Sequence, residues 1–129
     1  MTHRFQCRVY YEDTDLGGIV YYANYLKFIE RARSEWVRAL GLDQRAMKEG
    51  AGTVFAVRRI AAEYLSPARF DDLLDVETEV VSVRPARMTL RQRVLREGGV
   101  LFDAEVELVA IGPEGRPVRL PEALRALAG

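Results

Sequence analysis

The feature that most constrains the fold is one long stretch of helical period in a chain whose other patterned segments mostly follow the period of a strand. Residues 23–40 carry apolar side chains at steps of three and four, which predicts one long amphipathic helix that ends at Gly41. Most of the remaining chain alternates apolar and polar residues, the pattern of half-buried strands. A sheet must bury its apolar face, and residues 23–40 are its only large apolar partner. We therefore expect the sheet to wrap around this helix.

Five segments show the strand period, and they span residues 4–11, 53–65, 74–80, 88–94 and 102–110. The face of the first segment that we expect to be buried carries Phe5, Cys7, Val9 and Tyr11. Asp43 is expected to cap a short second helix that ends near Gly50, and Gly98-Gly99 to form a tight hairpin turn. The pattern predicts an α+β fold in a single domain over residues 1–129, with a five-stranded antiparallel sheet wrapped around one long central helix.

Composition argues against several classes of protein. Lys and Arg total 19, as do Asp and Glu, so the net charge is zero and no nucleic-acid partner is expected. No run approaches the roughly 20 apolar residues of a membrane-spanning helix. Residues 1–6 lack the apolar core of a signal peptide, and the lone Cys7 cannot form an intrachain disulfide. These observations predict a cytoplasmic protein.

The scarcity of His and Cys excludes most catalytic devices. His3 is the only histidine and Cys7 the only cysteine, so no metal site and no Ser-His-Asp triad is predicted. Four strand residues span about 13 Å, which keeps His3 and Cys7 from forming a dyad. A phosphate-binding Gly-rich loop ending in Lys is also missing, and we predict no cofactor. Catalysis would then depend on carboxylates, Tyr, Arg or backbone groups.

Three runs resemble a known signature. Residues 9–25 read VYYEDTDLGGIVYYANY, residues 28–33 read FIERAR, and residues 63–72 read EYLSPARFDD. They resemble the hot-dog-fold thioesterases, closest to the 4-hydroxybenzoyl-CoA thioesterases and the Tol-Pal-associated acyl-CoA thioesterases. The resemblance covers residues 5–111. It implies a hot-dog fold, hydrolysis of short-chain or aromatic acyl-CoA thioesters to free acid and CoA, and homodimers or homotetramers with sites at subunit interfaces.

The resemblance also implies roles for particular residues. Asp15 would be the catalytic carboxylate, as nucleophile or as general base toward water, and the backbone N–H of Tyr22 would polarise the thioester carbonyl. The Tol-Pal group typically has His at the position of Tyr22, so this chain favours a backbone donor over an imidazole. The candidate substrate-binding and CoA-binding residues are Gly17, Gly18, Val57, Arg58, Arg84 and Arg87.

Each of these assignments has an ordinary alternative. Asp13 and Asp15 suit turns in which their side chains accept local N–H groups, and we expect Asp13 to be structural. Arg84 and Arg87 flank Pro85 and fit a solvated turn as well as a CoA-phosphate site. Val57 fits a core position as well as an acyl pocket. A non-catalytic acyl-CoA or acyl-carrier-protein binding or scaffold protein is the second function that the sequence leaves open.

Overall fold

The computed structural model describes residues 2–128 and contains one five-stranded antiparallel sheet. In chain order the elements are β1 (His3–Arg8), α1 (Asn24–Ala39), α2 (Gln44–Glu49), β2 (Val54–Tyr64), β3 (Leu73–Val83), β4 (Arg87–Arg96), β5 (Gly99–Ile111) and α3 (Glu122–Arg125). The strands are ordered β1-β3-β4-β5-β2 across the sheet. The predicted sheet and long helix are confirmed, as is the cap on α2, where Asp43 accepts a hydrogen bond from the Ala46 N–H at 3.1 Å.

The core lies between α1 and the inner face of the sheet. The buried residues of α1 recur at helical spacing and are Tyr25, Phe28, Ile29, Ala32, Trp36 and Val37. They face alternating buried residues of the central strands, such as Leu90 of β4 and Val106 of β5. The helix packs mainly on β1, β3 and β4. As a result β2 lies largely outside the core, and nearly all of its residues are exposed.

Two details of the sequence prediction are wrong. Tyr11 does not share the buried face of β1, because the strand ends at Arg8 and Tyr11 begins a turn of 3-10 helix that leaves it 82% exposed. The β4–β5 hairpin turns one residue earlier than expected. Arg96 pairs with Gly99, so Glu97 and Gly98 form the turn, with φ of 51° and 83°. That geometry is typical of a type I′ hairpin, which needs positive φ at both central residues.

A buried amide joins the helix to the sheet. Gln92 of β4 is fully buried, and its Nε2 donates to the Ile29 carbonyl and to Thr78 Oγ1, both at 2.9 Å. Its Oε1 accepts from Arg33 Nη1, also at 2.9 Å. Because a buried polar group without partners is costly, this complete set of bonds fixes Gln92 and the side chain of Arg33.

No helix within residues 2–128 is long and apolar enough to cross a membrane.

Candidate active site

Asp15 opens a tight turn before α1. The Gly18 N–H donates to the Asp15 carbonyl at 2.9 Å, and the Asp15 N–H donates to the Ile19 carbonyl at 3.0 Å. Gly18 has a φ of 77°, a conformation that strains any residue with a Cβ. The carboxylate of Asp15 accepts from the Gly17 N–H at 2.8 Å and is exposed. The turn thus presents one carboxylate to solvent in a defined position.

Asp13 and Asp15 lie two residues apart and have different environments. Asp13 is 8% exposed, and its carboxylate accepts from the Tyr10 N–H at 2.8 Å. Its carbonyl accepts from the Tyr21 N–H and from Asn24 Nδ2, both at 2.9 Å. These bonds tie the turn to the first residue of α1. The Asp13 carboxylate therefore holds the local backbone, while that of Asp15 remains accessible to a ligand.

The first turn of α1 carries no compensating side chain. Ala23 occupies the N-cap position without a side-chain hydrogen bond, and the first turn has no acidic residue. Just before it, the Tyr22 N–H makes no backbone hydrogen bond within residues 2–128. A helix N-terminus carries roughly half a positive charge and unpaired N–H groups. This end of α1 can therefore stabilise a negative charge that develops on a bound oxygen.

Aromatic side chains surround the helix start. Tyr64, at the end of β2, donates its hydroxyl to the Tyr22 carbonyl at 2.9 Å and thereby fixes the orientation of that peptide. Tyr25 is 3% exposed and stacks on Phe102 with ring centroids 4.9 Å apart. Tyr22, Tyr25 and Tyr64 line a cleft of about 340 Å³ together with Ile19. The cleft is large enough for a small acyl group.

Tyr21 lies on the solvent side of this cluster. Its ring centroid is 4.9 Å from that of Tyr22. The pKa of Tyr21 is raised, chiefly by the neighbouring Tyr22 hydroxyl and to a smaller extent by burial and the Asp15 carboxylate. The phenol therefore remains protonated to a higher pH than a free tyrosine and keeps its O–H as a hydrogen-bond donor.

Two of the predicted CoA-binding arginines meet on the outer face of the sheet. Arg58 and Arg87 both pair with Glu107 of β5, at 2.7 and 3.6 Å. A β-bulge between Val57 and Arg59 places Arg58 outside the regular pairing of β2 with β5. The two arginines also line a cleft of about 280 Å³. Two guanidinium groups that share one carboxylate leave a net positive charge at this position.

The remaining predicted binding residues lie in two places. Arg84 is exposed in the β3–β4 connection, where its N–H donates to the Arg87 carbonyl at 2.8 Å, so it lies beside the pair on the outer face. Val57 is 47% exposed and lines a different cleft, between α1 and the start of β2. The structure thus brings Asp15, Gly17, Gly18 and Tyr22 together at the start of α1, apart from the arginine group.

Sequence reasoning missed Gln92, a polar residue that bonds to Arg33 at the cleft between α1 and the start of β2. Gln92 alternates with Leu90 and Val94 along β4, and all three side chains are buried on the same face. The alternation alone indicates that position 92 is buried. An amide side chain is more common at the surface, and this masked the signal. The partners of Gln92, among them Arg33, come from other elements and could not be read from periodicity.

Comparison with known proteins agrees with this geometry. Residues 17–102 match the family model described as the thioesterase superfamily. The chain is 42% identical to the acyl-CoA thioester hydrolase YbgC of Escherichia coli O157:H7 over 125 residues, which are 95% of this chain and 92% of that protein. The Haemophilus influenzae acyl-CoA thioesterase YbgC is also 42% identical, over 95% of this chain and 90% of its own.

Solved structures give the same result. A probable thioesterase from Bartonella henselae superposes with a TM-score of 0.91 at 40% identity, covering 94% of this chain and 100% of that one. A mutant 4-hydroxybenzoyl CoA thioesterase in complex with 4-hydroxybenzoyl CoA superposes with a TM-score of 0.90 at 25% identity, covering 99% of both chains. These likenesses confirm the expected hot-dog fold. The chain therefore belongs to the thioesterase superfamily and is a thioester hydrolase.

Proposed function

We propose that this enzyme hydrolyses acyl-CoA thioesters, with short-chain or aromatic acyl groups, to the free acid and CoA. The observation that carries the proposal is the exposed Asp15 carboxylate on a turn joined to the uncapped start of α1. The alternative, a binding or scaffold protein without turnover, gives no reason for an accessible carboxylate beside an uncompensated helix end.

Asp15 and the Tyr22 N–H divide the chemistry between them. In the general-base route, Asp15 accepts a proton from water while the water oxygen bonds to the thioester carbon. In the nucleophilic route, an Asp15 oxygen bonds to that carbon, and water then hydrolyses the resulting anhydride. In both routes the carbonyl oxygen becomes negative and accepts from the Tyr22 N–H, the C–S bond breaks, and CoA leaves as a thiolate that is then protonated.

The CoA end of the substrate would bind at the arginine group on the outer face. Arg58 and Arg87 share the single carboxylate of Glu107, and Arg84 stands in the adjacent connection. Guanidinium groups match phosphate oxygens in geometry and charge. In this proposal Gly17 and Gly18 let the Asp15 turn approach the thioester, and Val57 lines the path of the acyl group.

The proposed active form is a homo-oligomer, a dimer or a tetramer, with sites at subunit interfaces. β2 is an edge strand whose apolar side chains remain exposed, including Val57 at 47%, Ile60 at 38% and Tyr64 at 49%. An unpaired edge of this kind favours pairing with a second copy. We also propose a cytoplasmic location, which suits the free thiol of Cys7 and an acyl-CoA substrate.

The decisive experiment replaces Asp15 with Asn and follows thiol release from a panel of short-chain and aromatic acyl-CoAs. We expect wild type to turn over at least one of them. Asp15→Asn should lower kcat by about 10³-fold, the usual contribution of a positioned acid or base. Circular dichroism and the melting temperature should be nearly unchanged, because the Asn carbonyl still accepts from the Gly17 N–H.

Asp13→Asn is the matched control, since it makes the same change of charge two residues away. Its amide oxygen can still accept from the Tyr10 N–H, so we expect kcat within about threefold of wild type. Full activity in Asp15→Asn would refute the assignment of Asp15. Wild-type binding of CoA without turnover of any acyl-CoA would instead favour the scaffold alternative.

A further inference from the structure

α1 and β2 lie beside each other in opposite directions, and two clefts mark the seam between them. The cleft at the start of α1 contains Tyr22 and Tyr64. The second, of about 220 Å³, is lined by Arg33 and Val37 of the later half of α1 and by the first residues of β2, 55–57. The seam therefore leads from the proposed site of hydrolysis along the helix to Arg33.

The middle of this seam is apolar and open. Leu26 of α1 and Ile60 of β2 stand between the two clefts in the order of their elements, and they are 41% and 38% exposed. α1 packs mainly on β1, β3 and β4, which leaves the inner side of β2 uncovered. A hydrocarbon chain that extends from a thioester carbonyl at Tyr22 would find apolar walls on its way to Arg33.

The guanidinium of Arg33 is held in place by a neutral side chain, the amide of Gln92. Gln92 uses both hydrogens of its amide on Ile29 and Thr78, so its oxygen must face Arg33 Nη1. Among the described residues no carboxylate forms an ion pair with Arg33. Burial lowers the pKa of the Arg33 guanidinium, with Glu30 partly opposing the shift. The group remains charged, and most of its five N–H donors are free to bind a ligand.

Glu30 also lines the second cleft, and its charge would oppose an anion there. Glu30 is exposed, however, and its carboxylate accepts from Ser34 Oγ at 3.1 Å. Water screens an exposed charge far more than a half-buried one. A desolvated guanidinium gains most from an anion that offers two oxygens, as a carboxylate does.

We propose that Arg33 binds the distal carboxylate of an acyl chain whose thioester end lies at Tyr22, and so selects ω-carboxyacyl-CoA substrates. The inference rests on the proposed acyl-CoA hydrolysis and extends its acyl class. Short and aromatic acyl groups would fill only the Tyr22 cleft, whereas a longer chain ending in a carboxylate would occupy both.

The geometry of the helix sets the chain length. From Asn24 to Arg33, α1 rises about 14 Å at 1.5 Å per residue. Helical side chains lean toward the N-terminus of their helix. The distance along α1 from Asn24 to the Arg33 guanidinium is therefore only about 10 Å. An extended chain advances about 1.2 Å per bond, by analogy with the length of an extended peptide. The seven C–C bonds of an eight-carbon dicarboxylic acid span about 8 Å, and a hydrogen bond of about 2.9 Å to the guanidinium completes the distance, so this acid fits best.

The experiment compares mono-CoA thioesters of the C4, C6, C8 and C10 dicarboxylic acids with monocarboxylic acyl-CoAs of the same length. We expect wild type to show a higher kcat/KM for suberyl-CoA than for octanoyl-CoA, with an optimum near C8. Arg33→Met should lower kcat/KM for suberyl-CoA by about 10- to 100-fold, as expected for a lost hydrogen-bonded charge. Octanoyl-CoA should stay within about threefold, because its chain makes no bond to the guanidinium.

Two further variants separate recognition from folding. Arg31→Met removes the same charge from an exposed position on the same helix and should leave the suberyl-to-octanoyl ratio unchanged. Arg33→Lys keeps the charge and should retain part of the selectivity, which covers the case in which Arg33→Met does not fold.

The outcomes keep this inference apart from the proposed function. An equal loss on both substrates in Arg33→Met would make Arg33 purely structural and overturn the inference. So would a wild-type enzyme that cleaves octanoyl-CoA and rejects suberyl-CoA, although acyl-CoA hydrolysis itself would then stand. A wild-type enzyme that cleaves no acyl-CoA at all would overturn both.

Discussion

β1, at one edge of the sheet, is six residues long and exposes Arg4, Gln6 and Arg8. β2, at the opposite edge, is eleven residues long and exposes apolar side chains that include Val57 and Ile60. Charges along an edge hinder pairing with another chain, whereas a long apolar edge favours it. The same sheet therefore has one edge that suits solvent and one that suits a partner.

An ion-pair triad on the outer face lies next to each edge. Glu77 of β3 accepts from Arg4 of β1 at 2.7 Å and from Arg93 of β4 at 2.9 Å. On the other side, Glu107 of β5 pairs with Arg58 of β2 and Arg87 of β4. The two triads have the same composition and connect three strands each. We interpret the first as structural and the second as part of the CoA site.

The largest effect should come from one substitution made at both edges. Ile60→Lys places a charge in the middle of β2, and we expect the oligomer to dissociate to a monomer in light scattering. If sites lie at the interface, kcat/KM for a short-chain acyl-CoA, whose acyl group does not extend to Ile60, should fall by about 100-fold, since small displacements of positioned groups are that costly. Gln6→Lys, the matched change in β1, should alter neither assembly nor activity by more than about twofold. An active monomer in Ile60→Lys would mean that each chain holds a complete site.

The two triads should respond differently to loss of their carboxylate. Glu77 has only 11% of its side chain exposed, so Glu77→Gln should cost about 2 kcal/mol in urea unfolding, because two arginines lose their ion pair. Its kinetics should not change. Glu107→Gln should cost about 1 kcal/mol or less, since both of its arginine partners are more than half exposed, at 58% and 51%.

Kinetics distinguish the second triad from the first. Removing Glu107 leaves Arg58 and Arg87 unneutralised, so KM for acyl-CoA should fall by about threefold at low salt, and the difference should shrink at 1 M salt. An unchanged or higher KM in Glu107→Gln would count against CoA phosphates at this face.

The two edges also differ in how well sequence predicts them. Most of the fold follows from alternation, because the inner faces of β3, β4 and β5 are buried and every second residue there is apolar. In β2 the alternation is blurred, since both faces are exposed. The change to a period of two still predicted a strand over residues 53–65, and the observed strand is Val54–Tyr64. The sequence therefore located β2 without revealing that it is uncovered.

Contacts between distant segments account for what periodicity could not give. The pairing of Arg58 and Arg87 with Glu107 needs both the bulge in β2 and the order of strands in the sheet. The bond between Arg33 and Gln92 joins residues 59 positions apart. The Asp15 turn was predictable because its parts are local. Asp15, Gly17 and Gly18 are turn-forming residues within one four-residue segment, and that segment lies a few residues before the start of α1.

A smaller effect is expected at the turn between β4 and β5, away from both edges. Glu97 has a φ of 51°, where a residue with a Cβ is strained. Glu97→Gly should therefore raise the free energy of unfolding by about 0.5–1 kcal/mol, net of the extra flexibility of Gly in the unfolded chain. Assembly and KM should stay at wild-type values. Glu97→Gly therefore shows what a change of stability alone does, for comparison with Glu77→Gln and Glu107→Gln. Lower stability would show that Glu97 is not strained.

The smallest effect concerns the pH dependence of an ion pair beside the β2 edge. Asp103 of β5 pairs with Arg91 through two hydrogen bonds, at 3.1 and 2.7 Å, and stands opposite Glu63 of β2. The hydrogen bonds and charge of Arg91 hold the pKa of Asp103 below its usual value, and partial burial opposes them. A carboxylate whose pKa is depressed by folding stabilises the protein above its unfolded pKa, near 3.9 on average. That stabilisation is lost as the pH falls through the lower folded value.

Asp103→Asn should therefore melt about 2 °C below wild type above pH 5, in keeping with an exposed ion pair. The difference should shrink steadily below pH 4 as the wild-type carboxylate is protonated. A difference that persists at pH 2 would attribute the effect to the shape of the side chain rather than its charge. Repeating the titration in Ile60→Lys would show whether the pair depends on a partner chain at the β2 edge. If the edge is covered only in the oligomer, exposing it should further weaken the Arg91–Asp103 pair, because water then screens it more strongly.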